Sequence, residues 1–317
     1  MANKKFNRKQ MTVVWHVDDL KISHGNGDTM DALIRKLSKQ YGKEADLTIH
    51  RVKVHEYMGM KLEYRKQGKV KIYMTYYLEI ILDNMPENCQ GRAITMAANH
   101  IFKVNETARK LSEKEAQAFH TIVEKFLFLC KQVRPDILNG VAFLATRVRE
   151  SDEDDDKKLV RILKYLSGTR DLVLTLESDS NRTVKCWVDA AFAVHHDMKS
   201  HTGRVMTMGQ GALYSTSNKQ KLKTKRSTEE DLVGVDDLML QIFWMHNFLE
   251  AQGMKVSDNV VYQDNQSTMK LEKMEEYQVV SKPDISTYVI FFVTGYIQAN
   301  EIKVEPGGST RDRKSVV

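Results

Sequence analysis

The chain has 317 residues, 42% of them hydrophobic and 28% charged, with a formal net charge of +6. That length suits about two domains, and that balance supplies a buried core and excludes wholesale disorder. No apolar run reaches the ~18–20 residues of a membrane span, and no apolar stretch follows the basic start as it would in a signal peptide. The first strand period comes at Met11–Asp19, where Met11, Val13, Trp15 and Val17 alternate with other residues. Leu20–Ser23 resumes the strand, which puts Asp18-Asp19 at a hairpin turn. Met30, Leu33, Ile34, Leu37 and Tyr41 then follow at helical spacing. Val54–Tyr64 and Val70–Met74 read as strands, and Tyr76–Leu82 as a helix.

Ser112-Glu113-Lys114-Glu115 matches a capping box and opens a longer helix carrying Phe119, Ile122, Val123, Phe126, Leu127 and Cys130. Ile137–Val148 and Leu159–Tyr165 continue this helical middle. The acidic run from Glu150 to Asp156 reads as a solvated loop or a helix start. Beyond residue 180 the texture returns to strands: Val184–Asp189, Gly203–Met208 and Ala212–Ser217. A helix over Asp231–Glu250, a strand at Val260–Tyr262, a helix ending near Ala299 and a strand at Glu301–Glu305 complete the order. Cys89, Cys130 and Cys186 lie far apart, which suits a reducing compartment better than a disulfide framework.

Asp189 and Asp264 each end an apolar strand. If those strands are parallel neighbours, both carboxylates emerge at one sheet edge, where hard oxygen ligands suit Mg²⁺. The alternative is that each is a turn aspartate. Ser227-Thr228-Glu229-Glu230 matches a capping box, which gives Glu230 a structural task. Asp231 shares a helix face with Val235 and Leu238, and a buried acid is costly unless paired or metal-bound. Lys219, Lys221, Lys223 and Lys225 fall on every second residue, a single face if the segment is a strand. They would grip a nucleic-acid backbone or simply protect an edge strand. His195-His196-Asp197 reads as an exposed loop.

Several segments together resemble one family. His16-Val17-Asp18-Asp19-Leu20 is similar to the Y/F-x-D-D turn of reverse transcriptases, and Tyr57-Met58-Gly59-Met60 to the Y-L-G-x strand after it. Arg134-Pro135-Asp136-Ile137 and Leu163-Lys164-Tyr165-Leu166-Ser167-Gly168-Thr169 resemble the R-P-D-I and R-Y-L-x-G-T signatures of copia-type retrotransposon polyproteins. Trp187-Val188-Asp189-Ala190, Ser200-His201-Thr202-Gly203, Ser227–Asp231 and Asp264-Asn265-Gln266-Ser267 resemble that family's S-D-A-D, S-T-S-G, S-T-E-A-E and D-N-Q-S. The motifs keep the family's order and cover roughly Met11 to Glu305.

The resemblance implies an α/β (α+β) chain in which a reverse transcriptase palm and thumb remnant precedes a ribonuclease H-like domain with a mixed five-stranded sheet. The implied division is 1–90 for the palm remnant, 91–180 for a helical thumb or connection region, 181–306 for the ribonuclease H-like domain and 307–317 for a non-native tail. Asp18 and Asp19 would be relics of a polymerase site whose first aspartate precedes Met1. Asp189, Asp231 and Asp264 would hold Mg²⁺ in a two-ion site that hydrolyses RNA in an RNA–DNA hybrid. Asp231 stands where the family has Glu. The fourth acid is in doubt: Asp312 falls near its offset in a departed context, and Asp284 is out of register. The implied partners are a hybrid or other nucleic acid and further parts of the polyprotein, with no membrane. A non-catalytic remnant that still binds nucleic acid is the competing expectation.

Overall fold

The computed structural model describes residues 2–6, 9–43, 46–66, 68–83, 85, 89, 91–98, 100–179, 181–224, 226–272 and 285–307. Lys225, Asp284 and Asp312 lie outside them. The opening alternation forms an antiparallel sheet of β1 (Ala2–Phe6), β2 (Lys9–His16) and β3 (Asp19–His24). The hairpin bends one residue earlier than its acidic pair suggests. His16 pairs with Asp19, and Val17 takes a left-handed φ of 52°. Trp15, Val17 and Leu20 stay exposed at this end. Helix α1 (Gly27–Tyr41) follows, capped by the Asn26 side chain, which accepts from the Thr29 N–H.

A second sheet runs in the order β10-β7-β6-β5-β4. It comprises β4 (Val54–Tyr57), β5 (Met60–Glu63), β6 (Lys69–Tyr73), β7 (Leu174–Ser178) and β10 (Gly209–Gln210). Tyr57–Met60 is a hairpin turn rather than a strand. Met58 and Gly59 have φ of 53° and 73°, as the tight turn matching strand twist requires. This sheet draws on residues 54–73, 174–178 and 209–210, so it crosses the boundaries suggested near residues 90 and 180.

The helical middle has its own core. It contains α2 (Thr75–Asp83), α3 (Glu113–Gln132), α4 (Leu138–Ala145) and α5 (Glu153–Gly168). Phe119, Val123, Phe126 and Cys130 on α3 meet Val141 and Leu144 on α4 and Leu159, Ile162, Leu163 and Leu166 on α5. Burying each large apolar side chain contributes ~1.5–3 kcal/mol before entropy is counted. Ser112 and Glu115 form the capping box that opens α3. The acidic run does start a helix, but two of its acids are withdrawn from solvent. Asp152 caps α5, Asp155 completes a second capping box, and both are buried. Arg147 reaches Asp155 at 2.9 Å and Asp152 at 3.1 Å, offsetting charges that burial alone would make costly.

Two of the middle motifs meet. Arg134 is 2% exposed and donates to both carboxylate oxygens of Asp136, at 2.9 and 2.7 Å. It also donates to the Thr169 carbonyl and hydroxyl, at 3.0 and 2.7 Å. R-P-D-I and the Gly-Thr end of the second signature are therefore one buried clamp between the end of α3 and the end of α5.

The third sheet runs in the order β11-β9-β8-β12-β13. Its strands are β8 (Thr183–Ala191), β9 (His201–Thr207), β11 (Tyr214–Lys219), β12 (Asp258–Gln263) and β13 (Lys303–Pro306). The first three are antiparallel, while β12 lies parallel to both β8 and β13. The sheet is five-stranded and mixed, as expected for this part of the chain. Helix α6 (Ser227–Ala251) crosses one face, with α7 (Gln266–Glu272) and α8 (Ile285–Gln298) after it. Val184, Cys186 and Val188, alternate residues of β8, join Leu232, Val235, Leu238, Met239 and Ile242 of α6 in its core. Cys89, Cys130 and Cys186 are buried thiols that form no disulfide. Among the described residues, no helix is long and apolar enough to cross a membrane.

Candidate active site

The parallel register of β8 and β12 pairs Trp187 with Tyr262. Asp189 and Asp264 each lie two residues further along, so the chain brings them to the same end of adjacent strands. Both are exposed. Helix α6 begins at that end and adds Glu230 and Asp231, which are 2% and 5% exposed.

One glycine sets how deeply α6 sits. A Cβ on Gly234 would lie 2.9 Å from a Val188 methyl and 3.0 Å from the Thr202 methyl. Only glycine lets the helix pack this closely on β8 and β9, at a helix-propensity cost of about 1 kcal/mol. Arg204, itself buried, secures the contact by donating to the Gly234 carbonyl at 3.0 Å.

Burial pushes the Asp231 carboxyl up to about 7. A hydrogen bond from Asn265 at 2.9 Å opposes that shift, and the charges of Glu230, Asp264 and Asp189 reinforce it. Asn265 is the second residue of the D-N-Q-S motif. Its other amide atom accepts from the N–H groups of Ser267 and Thr268, tying Asp231 to the start of α7. Glu230 is also raised, first by burial and then by Asp189, while a hydrogen bond from Ser200 lowers it.

The capping task expected of Glu230 is absent. The helix is capped at Arg226 without a side-chain bond, so Ser227 lies inside the first turn. Glu230 is instead packed under the sheet, with its Oε2 buried and unpartnered. Gln220 braces this corner, donating 2.8 Å bonds to the Glu230 carbonyl and the Thr202 hydroxyl. Sequence reasoning passed over Gln220, Ser200, Asn265 and Glu230 as site residues. The resembled motifs contain three of these positions, Ser200, Glu230 and Asn265, and that was the available signal.

The lysine run is not a strand. β11 ends at Lys219, which pairs with Asp197 at 2.9 Å. Lys221 and Lys223 are exposed in the loop before α6. The single-face argument therefore fails, although two ammonium groups still stand near the acids in sequence.

His195 does lie in a loop, but its ring is buried while His196 is exposed. His195 bonds His201 at 3.0 Å, His201 bonds Ser217 at 2.6 Å, and Ser217 donates to the Asn139 side-chain Oδ1 of α4 at 3.2 Å. Because Asn139 accepts, the chain of donors runs one way: His201 donates to Ser217 through Nε2 and, being neutral, accepts from His195 through Nδ1. Burial accordingly depresses His195 to about 4 and His201 to about 3. The relay docks the helical middle on the sheet.

Asp18 and Asp19 stand apart, exposed on the first hairpin. Among the described residues, no three His, Cys, Asp or Glu side chains lie close enough together to enclose one metal ion. The four acids nevertheless suit a divalent cation chemically. They are hard oxygen donors, the neighbouring acids add to the raised proton affinity of Glu230 and Asp231, and one buried oxygen has no partner.

No family model matches the chain. It is 24% identical over 286 residues to the retrovirus-related Pol polyprotein from transposon TNT 1-94 of Nicotiana tabacum, a match covering 88% of the chain and 21% of that polyprotein. The chain thus spans about a fifth of that relative's length. It is 26% identical over 230 residues to a putative transposon Ty5-1 protein of Saccharomyces cerevisiae, covering 72% of each. Its fold resembles that of a foamy viral protease–reverse transcriptase solved in complex with an RNA/DNA hybrid. That likeness has a TM-score of 0.50 at 14% identity and covers 94% of this chain and 36% of the other. The resemblance to a retrotransposon Pol polyprotein fragment and the expected fold class are both borne out.

Proposed function

We propose that this chain is a copia-type polyprotein fragment whose 181–306 segment hydrolyses the RNA strand of RNA–DNA hybrids. The observation that carries this reading is the convergence of acids from separate segments. Asp189 and Asp264 lie at the same end of two parallel strands, and their charges act on Asp231 of α6. Asp189, Asp231 and Asp264 would hold Mg²⁺, which when bound polarises a phosphodiester and activates water. The chain's own groups do the positioning. Asn265 orients Asp231, Gly234 sets the depth of α6, and Gln220 fixes the loop that presents Lys221 and Lys223 to a phosphate backbone.

The polymerase relic reading of Asp18 and Asp19 is kept as part of this proposal, with residues 1–90 as palm remnant and 91–180 as connection. The test is cleavage of a labelled RNA–DNA hybrid with Mg²⁺ and then Mn²⁺, beside Asp264→Asn. Cleavage lost in the variant supports the proposal. A folded chain that binds the hybrid without cutting it supports the second reading, a non-catalytic remnant. What favours that alternative is the absence, among the described residues, of three acids around one point.

A further inference from the structure

Where the S-T-E-A-E signature resembled by Ser227–Asp231 carries alanine, this chain has Glu230. A glutamate in place of alanine on a buried helix face needs a reason, because an ionised carboxylate is expensive to bury without partners. The capping box that would have supplied one does not form. At 2% exposure Glu230 is the most buried of the four acids, and its Oε2 has no partner.

Its orientation is nonetheless fixed. Ser200, 1% exposed, accepts the Ala193 N–H at 3.1 Å, which leaves its hydroxyl proton to donate to Glu230. Gln220 holds the Glu230 backbone at 2.8 Å. The charge that acts on the Glu230 carboxylate is that of Asp189. Asp231, by contrast, has one oxygen engaged by Asn265 and is shorter by one C–C bond, about 1.5 Å, than the glutamate the motif carries.

We propose that Glu230 is the carboxylate through which α6 reaches a divalent cation held with Asp189, compensating for the shortened side chain of Asp231. This inference rests on the ribonuclease H reading above. The chain would then keep a helix-borne glutamate, shifted by one residue and held by Ser200, with Asp231 as its buried neighbour.

Mn²⁺ alone is the probe, titrated into the full chain and followed by calorimetry and by the electron paramagnetic resonance of free Mn²⁺. Melting curves check that each variant folds. Glu230→Gln is expected to weaken Mn²⁺ binding by on the order of tenfold or more, as Asp189→Asn does, and Ser200→Ala by less. If Glu230→Gln binds as the parent does while Asp189→Asn and Asp264→Asn lose the ion, the inference is overturned and the site reading stands. Failure of the parent to bind, or unchanged binding in Asp189→Asn and Asp264→Asn, overturns the site reading and the inference with it. Should Glu230→Gln not fold, Ser200→Ala decides, since it keeps the charge and removes only the orienting bond. Unchanged affinity in that variant overturns the inference.

Discussion

The sharpest physical consequence of the acid cluster is a pH-dependent cost to folding at Asp231. The perturbation is Asp231→Asn, which keeps the shape and removes the ionisable proton. The folded carboxyl titrates at about 7 against an ordinary value of 3.8, so between these values the folded chain holds a proton that the unfolded chain has released. Stability must therefore fall as pH rises through that window. The full span is about 4 kcal/mol, of which about 2.5 kcal/mol lies between pH 5 and pH 8. The parent and Asp231→Asn should differ little near pH 4. The variant should then become the more stable by a growing margin up to pH 8, read as the gap in melting temperature or denaturant midpoint. Mn²⁺ or Mg²⁺ should close part of that gap in the parent, because a bound cation favours the ionised acids. A gap that stays constant with pH, or that widens in favour of the parent, refutes the reasoning.

The buried imidazoles impose the opposite slope. His195 and His201 are depressed from 6.5 to about 4 and about 3, so their contribution is complete above 6.5 and is lost as pH falls toward those values. In the Asp231→Asn background, melting temperature should therefore drop between pH 6.5 and pH 4, and Asn139→Ala, which removes the last acceptor of the relay, should lower it at neutral pH. Arg134→Met leaves the partly buried Asp136 without its guanidinium and should cost about 3 kcal/mol, measured by denaturant unfolding. Gly234→Ala gains helix propensity but drives a methyl into Val188 and Thr202. It should destabilise by about 1–3 kcal/mol, and a stabilising outcome would show that α6 has slack on the sheet.

Much of the fold was legible because its signals were local. The α3 box at Ser112, the helical spacing of Phe119 to Cys130 and the alternation in β8 each state a period and a start. The element order of the third sheet followed from those periods. The parallel pairing of β8 with β12 had to be supposed, since it joins residues more than seventy positions apart. What escaped was set by distant partners. β7 and β10 are short strands whose pairing closes the second sheet across the chain, and little in their own composition announces it. His195 looked exposed because its neighbours His196 and Asp197 are polar. Its burial comes from Phe102, Phe143 and His201, which only the folded chain brings to it.

The candidate site shows the same division at finer scale. Asp231 was readable as an inward acid because Val235 and Leu238 mark the buried face of its helix. Glu230 was misassigned by a single residue of helix phase. A capping box needs its serine at the position before the first helical residue, where the hydroxyl can reach forward to the third N–H. Here Arg226 occupies that position and Ser227 is already helical, so its pattern partner Glu230 is released from the terminus. The consequence reaches beyond the cap. A strand-end aspartate and a helix acid meet only if the helix starts at the right residue and sits at the right depth. The start is fixed at Arg226 and the depth by Gly234 against Val188 and Thr202. Those two settings bring Glu230 under the charge of Asp189 and Asp231 under the charges of Asp189 and Asp264. Neither setting is visible in the acids themselves.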